Sequence, residues 1–236
     1  MSNTSRLNLP LLQPAQAQKH VTMNEALVRL DGLVQLTLVS KTLSTPPATL
    51  IDGSCYAVPF GSVNEWAGHD GEIAIGSNGG WDFVVPQRGW RAVILDRGVG
   101  AIFDGTLWRD GMVTLSPFNA GLSFRVAEID HDLTAGAVST TSAIIPGNAV
   151  VVGVTARVTE AITGTLTSWA LGNPGAVGRF GSGLGLSAGA WARGVLGQPT
   201  TFYTPEVLQM DASGGSFSGG TVRIAVHFME VELPDA

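Results

Sequence analysis

The apolar positions of this chain change period after the first forty-odd residues. Met23, Leu27, Leu30 and Val34 recur at 4-3-4 spacing, which lays one stripe along a helix, and Ala26 and Leu33 widen it. Thr22-Met23-Asn24-Glu25 has capping-box form, with Thr22 placed to cap the Glu25 amide and Glu25 to reach back. The pattern predicts a helix over 22–40, weakened at Gly32 by about 1 kcal/mol relative to Ala. A lone helix of this length is marginal in water. Its stripe must therefore pack, either on the chain's own β domain or on sister chains in a short parallel bundle. Pro46-Pro47 ends this region, because neither proline nor the residue before it favours helix.

From there the period is two. Segments 54–59, 72–75, 81–85, 91–95 and 101–103 read as short strands between Gly- and Asn-rich turns such as Ser77-Asn78-Gly79-Gly80. Trp66, Trp81, Trp90 and Trp108 recur among them in similar settings. In so small a domain they are expected in the core, with an exposed sugar-stacking role as the alternative. A third region predicts strands at 123–130, 138–145, 149–158, 168–171, 201–208 and 221–230. Turn signals stand at Pro146-Gly147-Asn148, Asn173-Pro174-Gly175 and Gly214-Gly215. The last strand alternates well, with Val222, Ile224, Val226 and Phe228 on one face. His227, near its end, is expected to be structural. The expected architecture is mainly β: a helical anchor at 1–45, a small Trp-rich β domain at 46–115, and an antiparallel, jelly-roll-like sandwich at 116–236.

Charge alters that picture in one place. Between Leu133 and Met210, 78 residues, only Arg157, Glu160, Arg179, Arg193 and Glu206 are charged. An ordinary soluble domain is about 25% charged, so this surface is either buried against copies of the chain or exposed towards something uncharged. The whole chain has 14% charged residues, two lysines (Lys19 and Lys41) and a net charge of −6. Without clustered Lys and Arg, a nucleic-acid partner is not expected. Gly is 31 of 236 residues but without a collagen period, so the glycines read as turns and bulges. Cys55 is the single cysteine and is expected to be a buried, structural thiol. Met1 to Pro10 carries neither a basic n-region nor an apolar h-region, and no apolar run approaches about 20 residues. Neither a cleavable signal nor membrane insertion is expected.

Motifs for catalysis are scarce. There is no Gly-x-Ser-x-Gly elbow, no phosphate loop and no His-Glu-x-x-His, and Gly181-Ser182-Gly183 lacks a strand-then-helix context. Glu128, Asp130 and Asp132 would share one face of a strand. Such a trio suits Ca²⁺ or acid–base work, or simply the solvated face of a strand. Glu206 or Asp211 are the candidate partners that a glycosidase would need. No catalytic residue, metal or cofactor is assigned, and the chain is expected not to be an enzyme. The segment from Trp169 to Tyr203 is more suggestive, a glycine-dense loop studded with aromatics and arginines. Trp169, Arg179, Phe180, Trp191, Arg193 and Tyr203 combine faces that stack on sugar C–H surfaces with donors for hydroxyls. A subunit interface enriches the same residue types, so shallow carbohydrate site and protein interface stand side by side.

The run Arg6-Leu7-Asn8-Leu9-Pro10-Leu11-Leu12-Gln13-Pro14-Ala15-Gln16-Ala17-Gln18-Lys19-His20-Val21-Thr22-Met23-Asn24-Glu25-Ala26, with Trp66-Ala67-Gly68-His69, Gly80-Trp81 and Gly89-Trp90, resembles an uncharacterised domain family. That family belongs to alphaproteobacterial phages and phage-like gene transfer agents. Arg179-Phe180-Gly181-Ser182-Gly183-Leu184-Gly185 and Gly219-Gly220-Thr221-Val222-Arg223 look like the sandwich that often follows it. The resemblance implies a spike or fibre of a virion-like particle, a head spike that adheres to capsular polysaccharide of the recipient cell. It also implies a homo-oligomer, with a trimer favoured, and the helix stripe Met23, Leu27, Leu30 and Val34 is the expected oligomer interface. The N-terminal segment would lie towards the particle and contact other spike or capsid proteins.

Overall fold

The computed structural model describes residues 3–12 and 19–235. Residues 13–18 of the opening motif lie outside them. Among the described residues the chain is mainly β with one α-helix, and it folds as two compact units, Met1–Asn119 with Pro234–Ala236, and Ala120–Leu233.

The first unit holds α1 (Lys19–Leu33) and β1 (Thr37–Leu38), β2 (Cys55–Ala57), β3 (Ile73–Ser77), β4 (Gly80–Val84), β5 (Arg91–Ile94), β6 (Val99–Phe103), β7 (Trp108–Asp110) and β8 (Met112–Leu115). Two small sheets run β1-β5-β6-β7 and β2-β3-β4. The β3–β4 hairpin turns through Asn78 and Gly79, both at positive φ, the backbone a tight two-residue hairpin requires. Strand β1, absent from the sequence reading, pairs in parallel with β5 through Thr37–Val93 and Leu38–Ile94.

The helix differs from expectation at both ends. It starts three residues before Thr22, so Thr22 and Glu25 lie inside it and form no capping box. It stops at Leu33, and Gln35 in the left-handed region turns the chain into β1. Gly32 is where the helix meets β3, since a Cβ there would come within 2.8 Å of Ile75 Cδ1. The face beside Gly32 is the packed one. The sequence stripe is mostly open: Met23 is 50% exposed, Leu30 49% and Val34 37%, with Leu27 half-buried.

Polar clamps tie residues 4–7 to this helix. The buried Asp31 carboxylate accepts the Thr4 hydroxyl (2.7 Å) and the Arg6 and Leu7 amides (2.9 and 2.6 Å). The Arg6 guanidinium donates to the carbonyls of Gly32 and Gln35 and to Thr37 Oγ1 (2.7, 3.0 and 2.8 Å), satisfying groups that the helix end leaves free. Burial alone would raise the pKa of Asp31, but the bonds from Thr4, Leu7 and Arg6 outweigh it and hold the carboxyl below its ordinary range. Asp104 repeats the device with the Thr106 and Leu107 amides and Arg109 Nε. Lys41 and Arg97 meet on Asp110 at 2.7 and 3.0 Å.

Of the four tryptophans, Trp66 is fully buried against Tyr56 and Trp81, and Trp108 packs on Phe103. Trp81 and Trp90 are only half-buried. Cys55 is buried and desolvation pushes its thiol up to about 11, against an opposing pull from Arg6, so it is inert at neutral pH.

The second unit holds β9 (Gly121–Asp132), β10 (Val138–Ile145), β11 (Ala149–Gly164), β12 (Ser168–Asn173), β13 (Ala176–Leu184), β14 (Trp191–Phe202), β15 (Glu206–Ser213) and β16 (Phe217–Glu232). One sheet is ordered β14-β11-β16-β9, the other β10-β15-β12-β13. Taken in chain order, strands one, eight, three and six face strands two, seven, four and five, which is the jelly-roll arrangement. Ile145, Val151, Val154, Trp169, Leu171, Leu208, Met210, Val222, Ile224 and Val226 fill the space between the sheets, each at most 1% exposed. Strand 201–208 of the sequence reading does not exist, because Tyr203 to Pro205 form a bend between β14 and β15. No helix among the described residues is long and apolar enough to cross a membrane.

Candidate functional site

The glycine-dense segment is not a loop. It is the pair β13 and β14, with Gly178, Gly181, Gly183 and Gly189 at positive φ letting the backbone bulge and turn. Gly194 sits where these strands touch. A Cβ there would stand 2.3 Å from the Phe180 carbonyl oxygen, so only glycine fits.

Strand formation sorts the six predicted ligand residues by face. Trp169 and Phe180 point inward, 1% and 2% exposed, and Trp169 donates its indole N–H to the Gly185 carbonyl at 2.9 Å. These two are core residues and present no face to a ligand, which corrects their assignment. Arg179, Trp191, Arg193 and Tyr203 are exposed. They form two groups. Arg179 lies over the Phe202 ring at 5.8 Å, with Tyr203 the next residue. Arg193 lies over the Trp191 ring at 5.7 Å. Their partner positions on β11, Ala149 for Phe202 and Arg157 for Trp191, are eight residues apart. That separates the groups by about 26 Å at the rise of a β-strand.

Cross-strand register builds a site around the second group. Trp191 pairs with Arg157, Arg157 with Arg223, and Arg223 with Asp130. One row higher, Arg193 pairs with Thr155, Thr155 with Ala225, and Ala225 with Glu128. These side chains share the outer face of the β14-β11-β16-β9 sheet, and all but Asp130 line an open groove of about 580 Å³. Trp191, 61% exposed, forms one wall. The two small floor positions, Thr155 and Ala225, leave it concave.

Charge is distributed unevenly across the groove. Arg223 is held by Asp130 through two bonds of 2.7 Å, with Glu128 3.9 Å away. The paired guanidinium lowers the pKa of Asp130, and the carboxylate raises that of Arg223. On the Trp191 side, no hydrogen bond or ion pair engages Arg157 or Arg193 among the described residues. Sequence reasoning missed Arg157, Arg223 and Thr155, which reach the groove only through register.

The acidic trio is taken up locally. Asp130 binds Arg223, and Asp132 accepts the Thr221 hydroxyl at 2.8 Å. No grouping of three metal-binding side chains occurs among the described residues. His227 bonds to Thr155 Oγ1 at 3.0 Å. His131 bonds to Ser139 Oγ at 2.8 Å, and its burial lowers its pKa against the pull of Asp132. Glu206 and Asp211 lie on β15, in the other sheet from Asp130.

Comparison with curated proteins finds no match. Among solved structures, a chain of the cyanophage Pam1 capsid asymmetric unit overlaps 45% of this chain and 84% of its own length, at 22% identity and a TM-score of 0.33. Neither result carries a function with it. Residues 23–109, within the first unit, match a family described as "Protein of unknown function (DUF2793)".

Proposed function

We propose that this chain is a non-enzymatic attachment spike or fibre of a phage-like particle, and that its jelly roll binds capsular polysaccharide in the Trp191 groove. The observation that carries the binding reading is the exposed Trp191 ring beside two arginines without hydrogen bonds or ion pairs among the described residues, over a concave floor. A flat aromatic face takes the C–H surface of a sugar ring, and guanidinium forks donate to its hydroxyls. The jelly roll is a scaffold that capsid and lectin domains share. The particle assignment rests on the resemblance of the N-terminal stretch. Oligomer formation, with a trimer as the expected state, is supported by the open stripe Met23, Leu27, Leu30 and Val34, which a parallel bundle would cover.

A second reading makes the same sheet face a protein interface. It draws on Phe124, Val126 and Val195, at 50%, 57% and 76% exposed, which extend the groove's face with apolar side chains. The two readings part on one experiment. Purified protein is incubated with capsulated and capsule-stripped cells, and its mass is followed by light scattering. Adhesion predicts capsule-dependent binding that Trp191→Ala abolishes at unchanged mass. Retention by neither cell type, with a changed mass for Trp191→Ala, favours the interface.

A further inference from the structure

We propose that the groove is specific for an acidic polysaccharide, one carrying uronate or similar carboxylates, and that Arg157 and Arg193 are the residues that read the charge. This deepens the polysaccharide reading and rests on it. Arg157 and Arg193 are two of only five charged residues in the 78 from Leu133 to Met210, and register places them diagonally across β11 and β14 beside the same indole. Both stand on one face of the sheet without an acidic ion-pair partner among the described residues.

The third arginine supplies the contrast. Arg223 faces the same groove but is neutralised by Asp130, with Glu128 close by. The groove therefore has a positive side along Trp191 and a net negative side along β9, where Glu128 and Asp130 outnumber Arg223. A sugar stacked on Trp191 would present a ring substituent to Arg157 and Arg193. A carboxylate there forms charge-assisted, two-pronged bonds that a hydroxyl cannot match. The acids beside Arg223 suit neutral hydroxyls and repel a second anionic group. The inferred ligand thus has spaced rather than contiguous negative charge, alternating acidic and neutral faces along the chain.

The test uses the full chain with three uronate-bearing polysaccharides (polygalacturonate and alginate, charged at every sugar, and hyaluronate, charged at every second one), the methyl ester of polygalacturonate and neutral dextran, read by biolayer interferometry. Hyaluronate is expected to bind more tightly than the contiguously charged polygalacturonate and alginate, with affinity falling as salt rises. Loss of one charge-assisted contact weakens binding about tenfold or more, for Arg157→Gln and for Arg193→Gln alike. Arg179→Gln, on the far group, is expected to change nothing. Binding of ester or dextran as tight as that of the acids overturns the charge specificity and leaves polysaccharide binding standing. Binding to no polysaccharide, together with a changed oligomeric mass for Arg157→Gln, overturns both at once.

Discussion

Among the described residues, both buried carboxylates lie in the first unit, where Asp31 and Asp104 each gather backbone amides and a side-chain donor. The jelly roll buries only neutral polar groups, Ser123, Ser139, Thr141 and Asn173, around a continuous apolar core. The difference follows from sheet size. Strands of two to five residues cannot supply enough apolar surface, so the first unit secures its N-terminal segment with ionic clamps. Strands of six to sixteen residues can, which releases the charges of the second unit to its outer face. A surface arginine with no structural duty is free to bind something.

Substitutions that break this contrast should differ in size. Trp169→Ala, at the centre of the jelly roll, is expected to cost about 3–5 kcal/mol by urea unfolding, as large aromatic truncations in cores do. Asp31→Ala leaves the Thr4 hydroxyl and two amides without their acceptor and is expected to cost about 1–3 kcal/mol. That loss should show as faster hydrogen exchange at the Arg6 and Leu7 amides, with the jelly roll unaffected.

Acid sharpens the comparison, because the two units lose stability in different windows. The folded pKa values of Asp31 and Asp104 are lowered. Their contribution is fully present above the unfolded value of about 3.9 and is lost as pH falls through the lowered folded value. His131 also has a lowered folded pKa, but its unfolded value is about 6.5. The jelly roll should therefore lose a little stability as pH falls from about 6.5 towards the folded value, well before the clamps respond. His131 faces Ser139 and the charge of Asp132, and His131→Asn should remove that early loss. Parallel pH profiles of the two units would contradict the assignment. The smallest effect belongs to Arg157→Gln and Arg193→Gln, expected within about 0.5 kcal/mol of the parent in the same urea experiment.

Much of the fold is legible in the residues. The alternation of Val222, Ile224, Val226 and Phe228 announces β16, and Asn78-Gly79 announces the β3–β4 hairpin. Strands β13 and β14 are hidden because glycines at bulges interrupt the alternation just where the backbones approach most closely. Strand β1 is two residues long, and only its partner β5 makes it a strand. The helix stripe misleads in a useful way: the face that looks like a core is the one the chain leaves open. For the site, Trp191 and Arg193 are neighbours in sequence and could be found together. Trp169 and Phe180 share their composition but alternate to the other face. Arg157 lies 34 positions before Trp191, and only antiparallel register joins them.

The indole N–H resonances test the central claim most directly. Six tryptophans give separate reporters, of which Trp66, Trp108 and Trp169 are buried and Trp191 forms a wall of the groove. On titration with fragments of a polysaccharide that the protein binds, the Trp191 signal is predicted to shift progressively while the other five stay in place. A bound protein whose Trp191 signal does not move, or whose Trp81 or Trp90 signal moves instead, would contradict the account.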